Sequence, residues 1–158
     1  MPAKMHSYYL RNMYQRNLLR EPGGITLCNT PIDLSKIKIP ACWISAIEDH
    51  IAPWRSTYYG TQLLAGKNKF ILAGSGHIAG IVNPPAAKKY GYWTNDALPA
   101  DPEQWLEGAT QHQGSWWTHW NEWVTGLGGG KMVAARVPGD GRLQVIEPAP
   151  GSYVSVKV

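Results

Sequence analysis

Two short, nearly unbroken apolar runs stand out from the polar pattern of the chain. Residues 41–47 form the first, bounded by Pro40 and by Glu48-Asp49; residues 69–73 form the second, followed by Gly74-Ser75-Gly76-His77. Runs of this kind read as strands buried on both faces. Between them, residues 53–64 carry a helical pattern, with Pro53 suited to the first turn and Gly66 to the stop. Residues 42–73 are about one βαβ unit in size, and its crossover is expected to be right-handed. Upstream, residues 5–20 predict a helix that Glu21-Pro22-Gly23-Gly24 ends, and residues 25–28 a short strand. Downstream, Asp101-Pro102-Glu103 opens a helix expected to run towards Val124, with Gly108 and Gly114 as candidate breaks. Residues 143–146 and 153–156 are weaker strand candidates. The pattern predicts an α/β fold with a small parallel sheet and flanking helices.

This arrangement places chemistry. Asp49 follows the first strand by two residues, and His77 follows the second by four. In open α/β sheets the carboxyl ends of parallel strands form the binding crevice. A carboxylate there accepts the Nδ1–H of a histidine, fixes its tautomer and stabilises the imidazolium; the other ring nitrogen is left to take a proton from a nucleophile. The order acid then histidine is that of α/β-hydrolases. The plainer alternative has Asp49 capping the helix at Pro53 and His77 resting in a turn. No G-x-S-x-G or cysteine elbow occurs: Cys28 lies between Thr26 and Thr30, and Cys42 between Pro40 and Ile44. Both cysteines read as small hydrophobes.

Composition narrows the field. The chain has 158 residues, 44% hydrophobic and 16% charged, which supports one ordinary folded domain. No run is long enough to cross a bilayer. Residues 1–9 show no apolar leader core, so no secretory signal is expected. Two cysteines build neither a disulfide scaffold nor a four-cysteine zinc site, and a reduced, cytoplasmic setting is expected. The net charge of +4 is uneven: Lys4, Arg11, Arg16 and Arg20 crowd the first 20 residues, whereas residues 91–130 hold acids and no base. That basic start reads as a solvated helix face, or as an attraction for an acidic partner. Gly74-Ser75-Gly76-His77-Ile78-Ala79 mimics a dinucleotide fingerprint, but Gly80 and Asn83-Pro84-Pro85 argue against the helix it needs. His112 and His119 lack a third ligand nearby, so no metal is expected. Five of eight tryptophans (105, 116, 117, 120, 123) fall in one stretch. They read as a core patch or as a surface touching a partner.

Several motifs together carry a resemblance. They are Met5-His6 with Tyr9-Leu10-Arg11-Asn12, Glu48-Asp49-His50-Ile51 with Pro53-Trp54, Ser75-Gly76-His77-Ile78-Ala79-Gly80 and Asn83-Pro84-Pro85. Further on come residues 95–102 (NDALPADP), Trp116-Trp117-Thr118-His119-Trp120 and Glu147-Pro148-Ala149-Pro150-Gly151. In this order they resemble the C-terminal part of a class I poly(3-hydroxyalkanoate) synthase. The resemblance implies an α/β-hydrolase-like fold and a Cys–His–Asp triad acting on (R)-3-hydroxyacyl-CoA, such as 3-hydroxybutyryl-CoA, with release of CoA into solution and of the acyl group to a growing polyester. It implies Asp49 as the catalytic aspartate and His77 as the histidine, and gives His50 no role. No cofactor is implied, since CoA arrives as part of the substrate.

By the same resemblance, residues 1–22 are the end of the family's cap region and residues 23–158 the C-terminal part of its catalytic domain. The family's G-x-C-x-G cysteine and first strands precede the matched region. The chain is therefore expected to be a C-terminal fragment (a truncated gene, a mis-called start or a complementing half) and to be inactive alone. Homodimers, full-length synthase, the growing polyester and a granule surface are the implied partners, with no nucleic acid. Two other readings stay open: another α/β-hydrolase, such as a polyester depolymerase or esterase, and a non-catalytic remnant bound to granules or synthase.

Overall fold

The structure, a computed structural model, describes residues 1–130, 132–137 and 139–157. Two compact units divide it, residues 1–123 and 124–158. The first holds a mixed four-stranded sheet with flanking helices, an α/β architecture. Its strands are β3 (Ala41–Ala46), β4 (Asn68–Ala73), β5 (Gly91–Thr94) and β6 (Thr110–Gln113), in the order β3-β4-β5-β6. A hairpin of β1 (Thr26–Leu27) and β2 (Thr30–Pro31) precedes it. The hairpin turns through Cys28 and Asn29, both at positive φ, as a two-residue turn between antiparallel strands requires.

The two apolar runs are the strands expected. β3 and β4 pair in parallel from Ala41↔Asn68 to Ala46↔Ala73, joined through α2 (Trp54–Gly60). The expectation of a parallel sheet holds for this pair and fails beyond it: β5 and β6 are antiparallel additions. A further parallel strand would need another crossover after β4. Instead residues 74–90 form turns interrupted at Asn83-Pro84-Pro85, and the chain comes back beside β4. Gly91 permits the close return. Its carbonyl accepts the Gly74 amide at 2.7 Å, and a Cβ on Gly91 would stand 2.7 Å from the His112 carbonyl oxygen.

β4 lies between β3 and β5 and is buried on both faces from Phe70 to Ala73, which explains the apolar run at those positions. Phe70 and Leu72 point to one face, where Trp54, Tyr58 and Trp105 complete a core. Ile71 and Ala73 point to the other, against Tyr92 and Trp116. The Phe70 and Trp105 rings meet edge to face with centroids 4.9 Å apart, and the Tyr58 hydroxyl donates to the Pro99 carbonyl at 2.6 Å.

The long helix expected after Asp101 breaks at both candidate glycines. α3 (Pro102–Glu107), capped by the Asp101 carboxylate, ends at Gly108; β6 follows; and α4 (Trp116–Leu127) starts beyond Gly114. At the amino end, α1 (Ala3–Tyr9) runs into a wider-wound π-helical stretch, Leu10–Gln15, and Asn17 at φ 50° breaks it before a 3₁₀ turn at Leu18–Arg20. In the second unit the strand expectations at 143–146 and 153–156 are not met. Residues 143–146 are irregular, with Ile146 97% exposed, and Ser152–Ser155 form a 3₁₀ turn. A strand needs a partner ladder, and none forms here among the described residues. No helix among the described residues is long and apolar enough to cross a membrane.

Candidate active site

The parallel register of β3 and β4 ends at Ala46 and Ala73, but the two chains stay bonded past that point. The Ile47 amide donates to the Ala73 carbonyl at 2.8 Å, and the Glu48 amide to the Ser75 carbonyl at 3.0 Å. The turns leaving both strands therefore run side by side. Three residues past Ala46 comes Asp49; four past Ala73 comes His77.

Their side chains meet. His77 Nδ1 lies 2.8 Å from Asp49 Oδ2. The other carboxylate oxygen, Oδ1, accepts the backbone amides of Ile51 and Ala52, each at 2.9 Å. The plainer alternative does not hold: α2 begins without a side-chain cap, one Asp49 oxygen organises the turn ahead of it, and the other oxygen meets the histidine. The Ala52 amide most strongly, then the imidazole, then the Ile51 amide hold the Asp49 carboxyl down to about 2. An ionised carboxylate accepts hydrogen bonds and donates none, so Nδ1 carries the proton and Nε2 is the acceptor of the neutral ring. Exposure divides the two: the Asp49 side chain is 6% exposed and that of His77 46%. The acid is sheltered and the base is reachable.

His77 and Asp49 line a pocket of about 370 Å³ with Ile44, Ser45, Thr57 and Trp116. Beside it lies an apolar groove of about 640 Å³ walled by Pro85, Trp117 and Trp120, and Ile44 and Trp116 border both. Periodicity alone did not single out Thr57 or Trp116 as pocket residues, because the sheet brings them to His77 from elsewhere in the chain. The tryptophan stretch is split in its exposure. Trp105 and Trp116 are buried in the core, whereas Trp117 and Trp120 are partly exposed on the groove.

The remaining candidates fall elsewhere. Neither cysteine lines the pocket: Cys28 is exposed on the hairpin turn, and burial pushes the half-buried Cys42 thiol up to about 11. His50 is exposed beside Asp49. His112 stacks on Tyr92 with centroids 4.8 Å apart and shares a 2.8 Å hydrogen bond with the Thr94 hydroxyl.

Fold and site together define an α/β protein with an acid–histidine pair where two parallel strands end. No family model matches the chain. Comparison with curated proteins gives the relationship. The chain is 48% identical over 157 residues to poly(3-hydroxyalkanoate) polymerase subunit PhaC of Cupriavidus necator, covering 99% of this chain and 27% of that protein. The subunit of the same name from Rhizobium meliloti is 48% identical over 157 residues, with 25% of its length covered. Poly(3-hydroxyalkanoate) polymerase 2 of Ectopseudomonas oleovorans is 39% identical over 154 residues. The chain is thus homologous, along nearly all its length, to a segment of the poly(3-hydroxyalkanoate) polymerases, and spans about a quarter of the length of these relatives.

Proposed function

We propose that the chain supplies the general base and its orienting acid to a polyester-forming acyltransferase. His77 takes the proton of a cysteine thiol. The sulfur attacks the thioester carbonyl of a (R)-3-hydroxyacyl-CoA, the carbon–sulfur bond to CoA breaks, and CoA leaves with a proton. The acyl group then rests on the cysteine until a 3-hydroxyl, activated with the help of Asp49 and His77, attacks its carbonyl. The new ester bond forms, the acyl–sulfur bond breaks, and the hydroxyl proton returns by way of His77 to the cysteine sulfur. No cofactor is needed. The cysteine comes from outside this chain, on the remainder of an α/β-hydrolase-like fold that residues 23–158 complete from the C-terminal side; residues 1–22 belong to a preceding cap. A cytoplasmic enzyme at the surface of polyester granules, working as a homodimer on short acyl chains, fits this reading.

One observation carries it: the 2.8 Å contact of His77 Nδ1 with a carboxylate whose second oxygen is tied to backbone, beside an open pocket. That is the geometry of a histidine prepared to accept a proton at Nε2. The raised Cys42 thiol supports an external nucleophile, because the thiolate is the attacking form. Titration of free CoA released from 3-hydroxybutyryl-CoA tests the proposal. The chain alone is expected to release none, the chain joined to a segment bearing G-x-C-x-G to turn over, and His77→Ala in the joined protein to abolish turnover. Full turnover by the chain alone, or a joined protein indifferent to His77→Ala, overturns it.

A further inference from the structure

The His77 side chain is 46% exposed, and a single hydrogen bond to Asp49 at such a position is too weak to hold its own geometry. The backbone carrying His77 must be held by other means. Residues 76–82 wind into a short helical turn, with the Gly80 amide on the Gly76 carbonyl at 2.9 Å and the Val82 amide on the Ile78 carbonyl at 2.8 Å. The near end of this turn is fixed by the Glu48 amide on Ser75. Its floor is fixed by Gly80, where a Cβ would stand 2.4 Å from the Gly74 carbonyl oxygen and 2.8 Å from the Ala46 Cβ.

At the far end, a helical turn leaves carbonyls facing outward that its own amides cannot reach. Two consecutive indoles meet them. Trp116 Nε1 donates to the Gly80 carbonyl at 3.1 Å, in a buried position, and Trp117 Nε1 donates to the Ile81 carbonyl at 2.9 Å. Both residues open α4, whose start is fixed by the Ser115 hydroxyl accepting the Trp117 amide at 3.1 Å. The rings stand at 72° to each other, so neighbouring residues of one helix reach neighbouring carbonyls of the turn. His77 is held between the Ser75 anchor on one side and the indole anchors on the other.

We propose that Trp116 and Trp117 are positioning residues, whose indole N–H groups hold the 76–82 turn so that His77 stays on Asp49. This rests on the acid–base reading of that pair. The test is the His77 Nδ1–H proton, observed at low field by NMR in the ¹⁵N-histidine-labelled chain and assigned by its absence in His77→Gln. β-(3-Benzothienyl)alanine in place of Trp116 or of Trp117 keeps the ring shape and removes only the donor. Trp117→Phe is a simpler companion, since that ring is 37% exposed and contributes less to the core. Each replacement is expected to speed exchange of the His77 proton with water at least tenfold, or to erase its signal, while the backbone amide spectrum stays folded. A purely structural role would lower the denaturation midpoint and leave exchange in the folded state unchanged; that result overturns the proposal. Asp49→Asn separates the two readings. Loss of the signal in Asp49→Asn, with no change in the tryptophan replacements, overturns the positioning role alone. A signal that survives Asp49→Asn, or is missing from the parent chain, overturns the acid–base pair and the positioning role with it.

Discussion

Ser75 turns its carbonyl onto the amide of Glu48 at 3.0 Å, and does so from a left-handed backbone at φ 66°. This bond continues the β3–β4 ladder past the strands and sets the two turns at the spacing that lets Asp49 meet His77. The conformation is costly for a side chain branched at Cβ. Ser75→Val is therefore expected to destabilise the chain by about 1–3 kcal/mol. Ser75→Gly, which adopts this φ freely, is expected to change stability by less than about 1 kcal/mol. Urea denaturation of the three proteins checks the ordering; equal midpoints for Val and Gly would mean that the turn does not need this conformation.

The Asp49 carboxyl gives the site a signature in acid. It is held down to about 2 when folded, against about 3.9 in an unfolded chain. A depressed folded value means that the unfolded state binds the proton first. The carboxylate's contribution to stability is present above about pH 4 and is lost as pH falls towards 2. Stability of the parent should fall with a steeper slope across that window than stability of Asp49→Asn. Denaturant midpoints collected from pH 5 to pH 2 measure both slopes. Parallel slopes would show that the two backbone amides and the imidazole do not act on this carboxyl.

Packing around β4 makes a separate claim. Phe70 is fully buried between the Tyr58 and Trp105 rings, at centroid distances of 5.1 and 4.9 Å. Phe70→Leu keeps most of the volume and should cost about 1–2 kcal/mol, whereas Phe70→Ala leaves a cavity and should cost about 3–5 kcal/mol. Thermal and urea unfolding, read by tryptophan fluorescence, should report the leucine variant as folded and the alanine variant as largely unfolded. A mild alanine phenotype would mean that Trp105 collapses into the space.

What could be read from sequence follows the same division. β4 was legible because burial on both faces writes itself as an apolar run. β3 was legible because its run is equally apolar, although as an edge strand it is buried only at Ser45 and Ala46. Pro40 and Pro53 mark the starts of β3 and α2, but α2 ends at Gly60, short of the stop expected at Gly66. The meeting of Asp49 and His77 was legible because parallel neighbours end on one edge. β5 and β6 were not: GYWT and TQHQ are four residues each, and only pairing onto β4 makes them strands. That pairing turned an expected parallel sheet into a mixed one. The indole contacts to Gly80 and Ile81 span 36 residues and leave no mark in local spacing. Apolar residues at 143–146 and 153–156 misled in the opposite direction, since propensity without a neighbouring strand builds no ladder.

The free side of β3 carries the last expectation. Among the described residues β3 has a single neighbour, β4. The Ala41 amide donates to the Lys67 carbonyl and the Ile47 amide to the Ala73 carbonyl, so odd-numbered amides face β4. By strand alternation the amides of Cys42, Ile44 and Ala46 face away, with the carbonyls between them. A six-residue edge of apolar composition, with no charged residue on it, is a template for pairing with another chain. The chain is therefore expected to associate in solution as concentration rises, under reducing conditions that keep the exposed Cys28 from cross-linking. Cys42→Pro removes one outward amide without touching the β3–β4 bonds, and its ring obstructs an approaching strand. It should shift the sedimentation profile towards monomer while circular dichroism stays that of the parent. A parent that remains monomeric at every concentration, or a proline variant that associates equally well, would show that the edge is protected by some other part of the chain.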